Sequence, residues 1–573
     1  NVKIDRDERP EIDRRYQLAV QAMGIAGGWP LSVFLTPDKK VFYGGTYFPP
    51  EDSYGRPGFK KVLTTIADFY KKNRDKVIQY SEMVMESLKP IQAYHGKIDK
   101  SILDFAMKDI FSNFDPQNGG FGRSPKFPMH GVIEFLINRY HLTKKEELGY
   151  VIKTTLDAMA KGGFHDQIGG GFHRYSTDEA WIIPHFEKMA DDNAWLLRNY
   201  IDAYKVFGYE YYKEVSLGIL NFLKDNLSDP EGGFYSSMDA DVVVDDEGSY
   251  FTWTDEEFKE VLNKDEYEVL SLHLFHEKGT MHHNRKKRVL FIAMDKEDIA
   301  NKLGKDIKTV TELIKTGKEK LYQRRNQREK PLIDKVFYTS INGMLITSYL
   351  KAYRVFNDKE LKLFALDSLN RIIEKHFIKE ELYHTENIKA LLDDYVYLIE
   401  SLISAYETTG DSSYIKQADL FMKTCIDKFW DKKDGGFYDS EEEVLGIRIK
   451  GIEDIPHPSA NSLAIILLLK LYNLTDNELY LRYAEDALRV FSSNASSAGM
   501  YAGYYFSALD CYFNLLKLTL YTEPDSNLAF TALLTFSPYT SIQYADNKGY
   551  ILPCFKKECY EPIYNPEELE IFL

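Results

Sequence analysis

The sequence predicts a mainly α protein: six helical hairpins closed into an (α/α)6 toroid, with a partial α/β domain ahead of it. Three observations predict this. First, amphipathic helices recur between about residues 100 and 522, and five end on a Tyr followed by a short polar turn, at Tyr140, Tyr204, Tyr353, Tyr406 and Tyr472. A weaker sixth ending stands at Tyr521. Second, periodicity and turn residues give about twelve helices, over 102–113, 130–142, 147–160, 189–206, 209–226, 342–356, 358–376, 392–408, 411–429, 460–474, 477–494 and 503–520. A closed ring lets each hairpin bury its apolar face against the next. Third, the connections alternate. Those after each Tyr ending are short and bland; those leading into the even-numbered helices are mostly long and rich in Gly, aromatics, His and carboxylates. If the even helices form the inner ring, the rich loops share one rim, at inner-helix N-termini, where partial positive charge and spare N–H groups suit polar ligands.

Along the chain, Val2-Lys3-Ile4-Asp5 alternates like a strand, and 12–23 has helical spacing ended by Gly24, Gly27 and Gly28. A strand over 29–35 is entered through Pro30, a candidate cis peptide, and a hairpin leads on through Val41 to Gly45. A chain that starts on Asn1 and runs straight into a strand is expected to be cut inside a domain. In the toroid, Leu391, Leu392, Tyr395, Leu398, Ile399, Leu402, Ile403 and Tyr406 make the stripe of a buried helix face. The expected units are a partial domain over 1–90, the toroid over 100–522 with an insertion at about 227–341, and a small, partly β extension over 523–573. Gly-Gly-Phe elements at 119–121, 162–164, 170–172, 232–234 and 435–437 read as tight turns into short hairpins.

Composition narrows the function classes. Lys plus Arg number 72 against 88 Asp plus Glu in 573 residues, a net charge of −16, which argues against a nucleic-acid or anionic-membrane partner. The longest apolar run, Leu463 to Leu469, is far short of the ~18 residues of a membrane span. Four cysteines are too few for a disulfide scaffold, and a reducing, cytoplasmic location is the expectation. Cys554 and Cys559 read as packing or as a redox-labile pair. No P-loop or dinucleotide fingerprint suggests a nucleotide cofactor, and no cofactor or metal is assigned.

The densest chemistry lies between 164 and 193. His165, His173 and His185 fall within 21 residues; each could move protons near neutral pH, with Glu187 or Asp192 orienting an imidazole. Arg174 and Tyr175 would hold hydroxyls. Asp239 and Asp241 would share one side of an extended segment, as a sugar-binding or acid–base pair. Asp334, Asn342, Asp393, Asp394, His457 and Asn461 complete the candidate substrate-binding set, with Asp393, Asp394 and Asn461 equally readable as helix caps.

The runs Val2-Lys3-Ile4-Asp5-Arg6-Asp7-Glu8-Arg9-Pro10, Gly27-Gly28-Trp29-Pro30-Leu31 and Gly44-Gly45-Thr46-Tyr47-Phe48-Pro49 resemble the second half of a thioredoxin fold. Together with Gly-Gly-Phe-His-Arg-Tyr-Ser at 170–176, Trp181 to Met189, Asp239-Ala240-Asp241 and Leu392-Asp393-Asp394-Tyr395, they resemble the YyaL-like, spermatogenesis-associated thioredoxin-like family. The chain departs from the family pattern at Ile341, usually Trp, and Ala460, usually Gly. The resemblance implies a thioredoxin-like domain joined to a toroid similar to sugar 2-epimerases and six-hairpin glycosidases. It also implies an upstream Cys-x-x-Cys; here no Cys precedes Cys425, so this chain does not run dithiol chemistry from that domain. The expected function is a carbohydrate-active enzyme in which a rim His removes a proton α to a sugar carbonyl. The alternatives are glycoside hydrolysis by two carboxylates, or a redox-linked or sugar-binding regulatory protein that meets a protein partner through its thioredoxin-like domain.

Overall fold

The computed structural model describes residues 1–573 apart from 54, 89–94, 244–245 and 456. The expected boundary near residue 90 lies outside the described residues. Twelve helices form the central body, numbered here α1 (Ser101–Asn113), α2 (His130–Thr143), α3 (Glu146–Lys161), α4 (Ala190–Phe207), α5 (Glu210–Phe222), α6 (Thr339–Phe356), α7 (Lys359–His376), α8 (Leu392–Thr409), α9 (Ser412–Phe429), α10 (Ala460–Thr475), α11 (Glu478–Ala498) and α12 (Gly503–Asn514). The even helices pack in sequence, α2 on α4, α4 on α6 and so on, until α12 returns to α2 and closes the ring. Each carries an outer partner, α3, α5, α7, α9, α11 and, for α12, α1. This is an (α/α)6 toroid. The inner helices are buried nearly all round, as a helix walled in on both flanks must be.

The recurring Tyr endings have one backbone cause. The carbonyls of Tyr140, Tyr204, Tyr353, Tyr406 and Tyr472 accept the N–H of Lys144, Gly208, Asn357, Gly410 and Asp476 at 2.7–2.9 Å, and each of these donors sits in the left-handed region. Asp358, Asp411 and Asn477 then cap the next outer helix.

The opposite ends of the inner helices carry a second repeat. Asp115, Asp166, Asp229 and Asp431 each close a turn by accepting backbone N–H groups two or three residues on. The two glycines that follow have positive φ in all four copies. A cation then ties the Asp to the first glycine's carbonyl: Lys126 (2.6 and 2.8 Å), Lys188 (2.7 and 2.8 Å), Lys450 (2.6 and 2.7 Å), and Arg371, which holds Asp229 at 2.8 Å and also donates to the Gly232 carbonyl. In three copies an Asn from the next inner helix clamps the Phe backbone at both N–H and C=O: Asn193 on Phe172, Asn342 on Phe234, Asn461 on Phe437.

Both mouths of the ring are covered. On the inner-helix N-terminal side sits the first unit, with helices Pro10–Ala22, Phe59–Lys72 and Arg74–Ser87 and the antiparallel pair Ser32–Leu35 with Val41–Gly45. The Trp29–Pro30 peptide is cis, as expected. Residues 1–5 form no strand: the segment finds no ladder partner among the described residues, and Val2 is 87% exposed. The unit is held by Arg15, whose guanidinium is buried and bonds Asp439 at 2.9 and 3.1 Å and the Ile447 carbonyl at 3.0 and 3.2 Å.

On the other side lies a four-stranded sheet of Leu516–Tyr521, Thr540–Tyr544, Tyr550–Phe555 and Glu558–Cys559. Its Ile542 and Tyr544 N–H groups donate to Glu407 and Tyr406 of α8. The helix expected over 503–520 therefore ends at Asn514. Leu516, Leu518 and Leu520 alternate with Lys517 and Thr519, a strand period, so Tyr521 ends a strand and not a helix. Cys554 and Cys559 are disulfide-bonded across the last hairpin, and Cys425 and Cys511 are buried thiols. No helix among the described residues is long and apolar enough to cross a membrane.

Candidate functional site

The loop between α3 and α4 delivers the central group. Tyr175–Ser176 pairs antiparallel with Pro184–His185, placing Tyr175 opposite His185, and the two rings stack at 5.1 Å. Lys188–Met189 joins a three-stranded sheet with Ser237–Met238 and Ile333–Asp334, which ties the insertion to the rim just before α4. From the insertion, Glu247 reaches His185 Nδ1 at 2.7 Å. Glu187 lies 3.7 Å from Nε2, beyond hydrogen-bond distance, and takes a 2.6 Å bond from Arg174.

Burial opposes charge on His185, but the Glu187 and Glu247 carboxylates outweigh it and raise its pKa to about 9. Burial likewise opposes charge on Glu187, yet His185 and Arg174 bring it down to about 2. The two carboxylates favour the protonated imidazolium, with Nδ1 on Glu247 and Nε2 facing Glu187 at 3.7 Å. A histidine held toward its protonated form is suited to donate a proton.

Behind it, the first turn of α4 presents Asp191 and Asp192. Asp192 is occupied, 3.0 Å from His130 Nε2. Among the described residues Asp191 accepts only the Asp192 N–H, and burial together with the neighbouring Asp192 carboxylate raises its pKa. A buried carboxylate pushed toward neutral is suited to accept a proton. Sequence reasoning missed Asp191. The available signal was its first-turn position, where the corresponding residues two before the clamp Asn are Ser340 and Ser459.

The rim continues toward α8. The His457, Asp7 and Arg6 charges act on Asp191, and Arg6 also feels Glu187. His457 Nε2 is 4.0 Å from Asp393, and Arg14 of the first unit grips Asp393 at 3.0 and 3.1 Å. His185, Asp192 and Asp393 thus occupy one rim, with Arg6, Asp7 and Arg14 of the first unit laid over it.

The other candidates have structural employment. His173 is buried with Nδ1 on the Phe186 carbonyl, and burial holds it well below the usual histidine range. His165 takes the place that Phe114, Ser228 and Trp430 take in the other Asp–Gly–Gly copies; burial lowers it to about 3, and neither ring nitrogen has a partner. Asn342 and Asn461 are backbone clamps. Asp394 caps Leu391, accepts the Ser340 N–H and holds His384 at 2.8 Å. Asp334 accepts from Ser236 at 2.6 Å. Asp239 turns onto the N–H of Ala240, and Asp241 carries a buried oxygen with no partner, its pKa raised by burial and by Glu247.

A thioredoxin-like first unit, a twelve-helix ring and a charged rim between them define the class. A family profile described as "Protein of unknown function, DUF255" (Thioredox_DsbH) matches residues 1–89. Human spermatogenesis-associated protein 20 is 31% identical over 548 residues, covering 86% of this chain and 69% of that protein. The chain belongs to the spermatogenesis-associated protein 20 family. A cellobiose 2-epimerase of Bacteroides fragilis is 38% identical over 74 residues, covering 13% of this chain and 19% of that protein. The structure of cellobiose 2-epimerase from Bacillus thermoamylovorans B4167 aligns over 68% of this chain and 86% of its own, at 12% identity and a TM-score of 0.44.

Proposed function

We propose that the toroid is a carbohydrate-active enzyme of epimerase or isomerase type, acting on a reducing sugar by proton transfer α to its carbonyl. The observation that carries this reading is that His185, whose pKa the Glu187 and Glu247 carboxylates raise, and Asp191, a buried carboxylate of raised pKa, stand six residues apart on the loop and first turn that open α4. In the mechanism, His185 Nε2–H hydrogen-bonds the carbonyl oxygen and stabilises the charge that develops there. Asp191 takes the α proton as His185 gives its Nε2 proton to the carbonyl oxygen, forming an enediol; Asp191 then returns the proton to the same or the adjacent carbon while an enediol hydroxyl gives its proton back to His185. Arg174 and Tyr175 stand beside His185, where they would meet hydroxyls. The stretch similar to a cellobiose 2-epimerase supports the substrate class. For hydrolysis by paired carboxylates, Asp393 and Asp394 are committed to Arg14 and to backbone and His384 partners, which leaves Asp239 and Asp241 as the pair for that second reading.

The test is incubation of the chain with a panel of reducing sugars in deuterium oxide, read by proton NMR at the carbon next to the carbonyl. Deuterium wash-in that is lost in His185→Gln and Asp191→Asn supports the mechanism. No wash-in with any sugar overturns it.

A further inference from the structure

Below the rim the axis of the ring is not filled by apolar side chains. Trp195, Tyr397 and Tyr504 form an aromatic layer, with Trp195 edge-on to both tyrosines at 6.3 and 5.3 Å. Beneath it lies a chamber of about 160 Å³ to which all six inner helices contribute. At roughly 30 Å³ per water, that is space for about five waters.

Its lining carries more positive than negative charge. Arg198, Lys351, Arg354 and Lys470 face Glu134, Glu400 and Glu407, four cations against three carboxylates. Asp202 is bonded to Lys351, and Lys205 beside it, lowered to about 7 by burial, offsets that carboxylate only in part. Arg198 is spent in a two-point pair with Glu400 at 2.9 and 3.0 Å.

The remaining cations are only partly engaged. Lys470 Nζ meets one acceptor, Glu407 at 3.2 Å, a carboxylate that Arg354 Nη2 also faces at 3.6 Å; Lys351 Nζ meets one, Asp202; and Arg354 donates through Nε and Nη2 while Nη1 has no acceptor among the described residues. Each ammonium has three N–H groups and the free guanidinium nitrogen two, so six donors on these three partly exposed lining side chains have no protein acceptor among the described residues. Glu134 has no hydrogen-bond or ion-pair partner among the described residues, and burial raises its pKa to about 7, so it adds little opposing charge. A ring stabilised only by internal ion pairs would match donors to acceptors. Surplus donors and surplus positive charge together call for an oxyanion.

We propose that the axial chamber is a binding site for a phosphate group, separate from the rim, with Lys351, Arg354 and Lys470 as its ligands. The phosphate is either the free ion or the terminal group of a small metabolite. The site does not depend on the rim chemistry.

The experiment is calorimetric titration of the whole chain with inorganic phosphate and, in a second arm, with glucose 6-phosphate, each against chloride at equal ionic strength. Thermal melts follow the same series. Saturable phosphate binding with a rising melting temperature is expected. Lys470→Met and Lys351→Met should each weaken it about tenfold or more, the scale of one charge-assisted hydrogen bond, while the exposed Lys432→Met leaves it unchanged. If a Met variant fails to fold, Lys470→Arg, which keeps the charge, should fold and bind. Inorganic phosphate binding alone identifies the free ion; tighter binding of the ester identifies a metabolite. Heat and melting shifts equal to those of chloride, or full affinity in folded Lys470→Met, overturn the proposal.

Discussion

The two ends of the same six inner helices are built on opposite rules. At the C-terminal ends one device recurs five times: a Tyr carbonyl, a left-handed residue four positions on, and a short run to the next helix. At the N-terminal ends four Asp–Gly–Gly clamps recur, but between them stand residues that break the repeat: His185, Glu187 and Glu247, and Asp191 where the corresponding positions carry Ser340 and Ser459. Repetition marks what the ring needs in order to close, and departure from it marks what the ring is used for. By that criterion Asp166, Asn342 and Asn461 belong to the scaffold, and the proposed chemistry falls on His185 and Asp191.

The largest effect expected from breaking this contrast lies where the first unit meets the rim. Arg15→Met leaves Asp439 buried without its cation, which costs about 3–5 kcal/mol. Limited proteolysis should then cut within the first unit while the ring stays intact; unchanged protection would show that Arg15 does not hold the unit down. Next, Asn193→Ala orphans the N–H and C=O of Phe172 at about 1–3 kcal/mol per group, and Asn461→Ala should do the same at Phe437. Matching shifts in urea midpoint would confirm the clamps as equivalent.

His185 gives a smaller, pH-dependent effect. Its folded pKa is raised to about 9, so the stability it contributes is fully present below pH ~6.5 and is lost as pH rises through about 9. The melting difference between the wild type and His185→Gln should close above pH 9 and stay open at pH 6. The smallest effect belongs to the plain end. Lys144→Gly relieves a non-glycine residue at φ 52° and should stabilise by about 1 kcal/mol.

Much of the ring was legible because its signals are local and repeated. Helical stripes, Tyr endings and the alternation of short and long loops need only a few residues each, and they placed the rich loops on one rim. What was illegible depended on partners far along the chain. Asn342 and Asn461 read as ligand or cap residues because nothing nearby announces Phe234 or Phe437. Asp192 was preferred over Asp191 because only the fold shows that His130, 62 residues upstream, occupies it. The raised pKa of His185 comes from Glu187, two residues on, and also from Glu247, which arrives from the insertion and which no local pattern announces. Leu516–Tyr521 was legible by its alternation, yet the Tyr ending drew the helix across it.

The central claim is that the non-repeated rim group moves a proton at a sugar carbonyl. Its most direct measurement is deuterium incorporation at the carbon next to the carbonyl of a reducing sugar, comparing the wild type with Asp191→Asn. Loss of a positioned acid or base costs ~10²–10⁴ in rate, so wash-in by the wild type should fall by that factor in the variant. Equal wash-in by both, or none by either, would contradict the account.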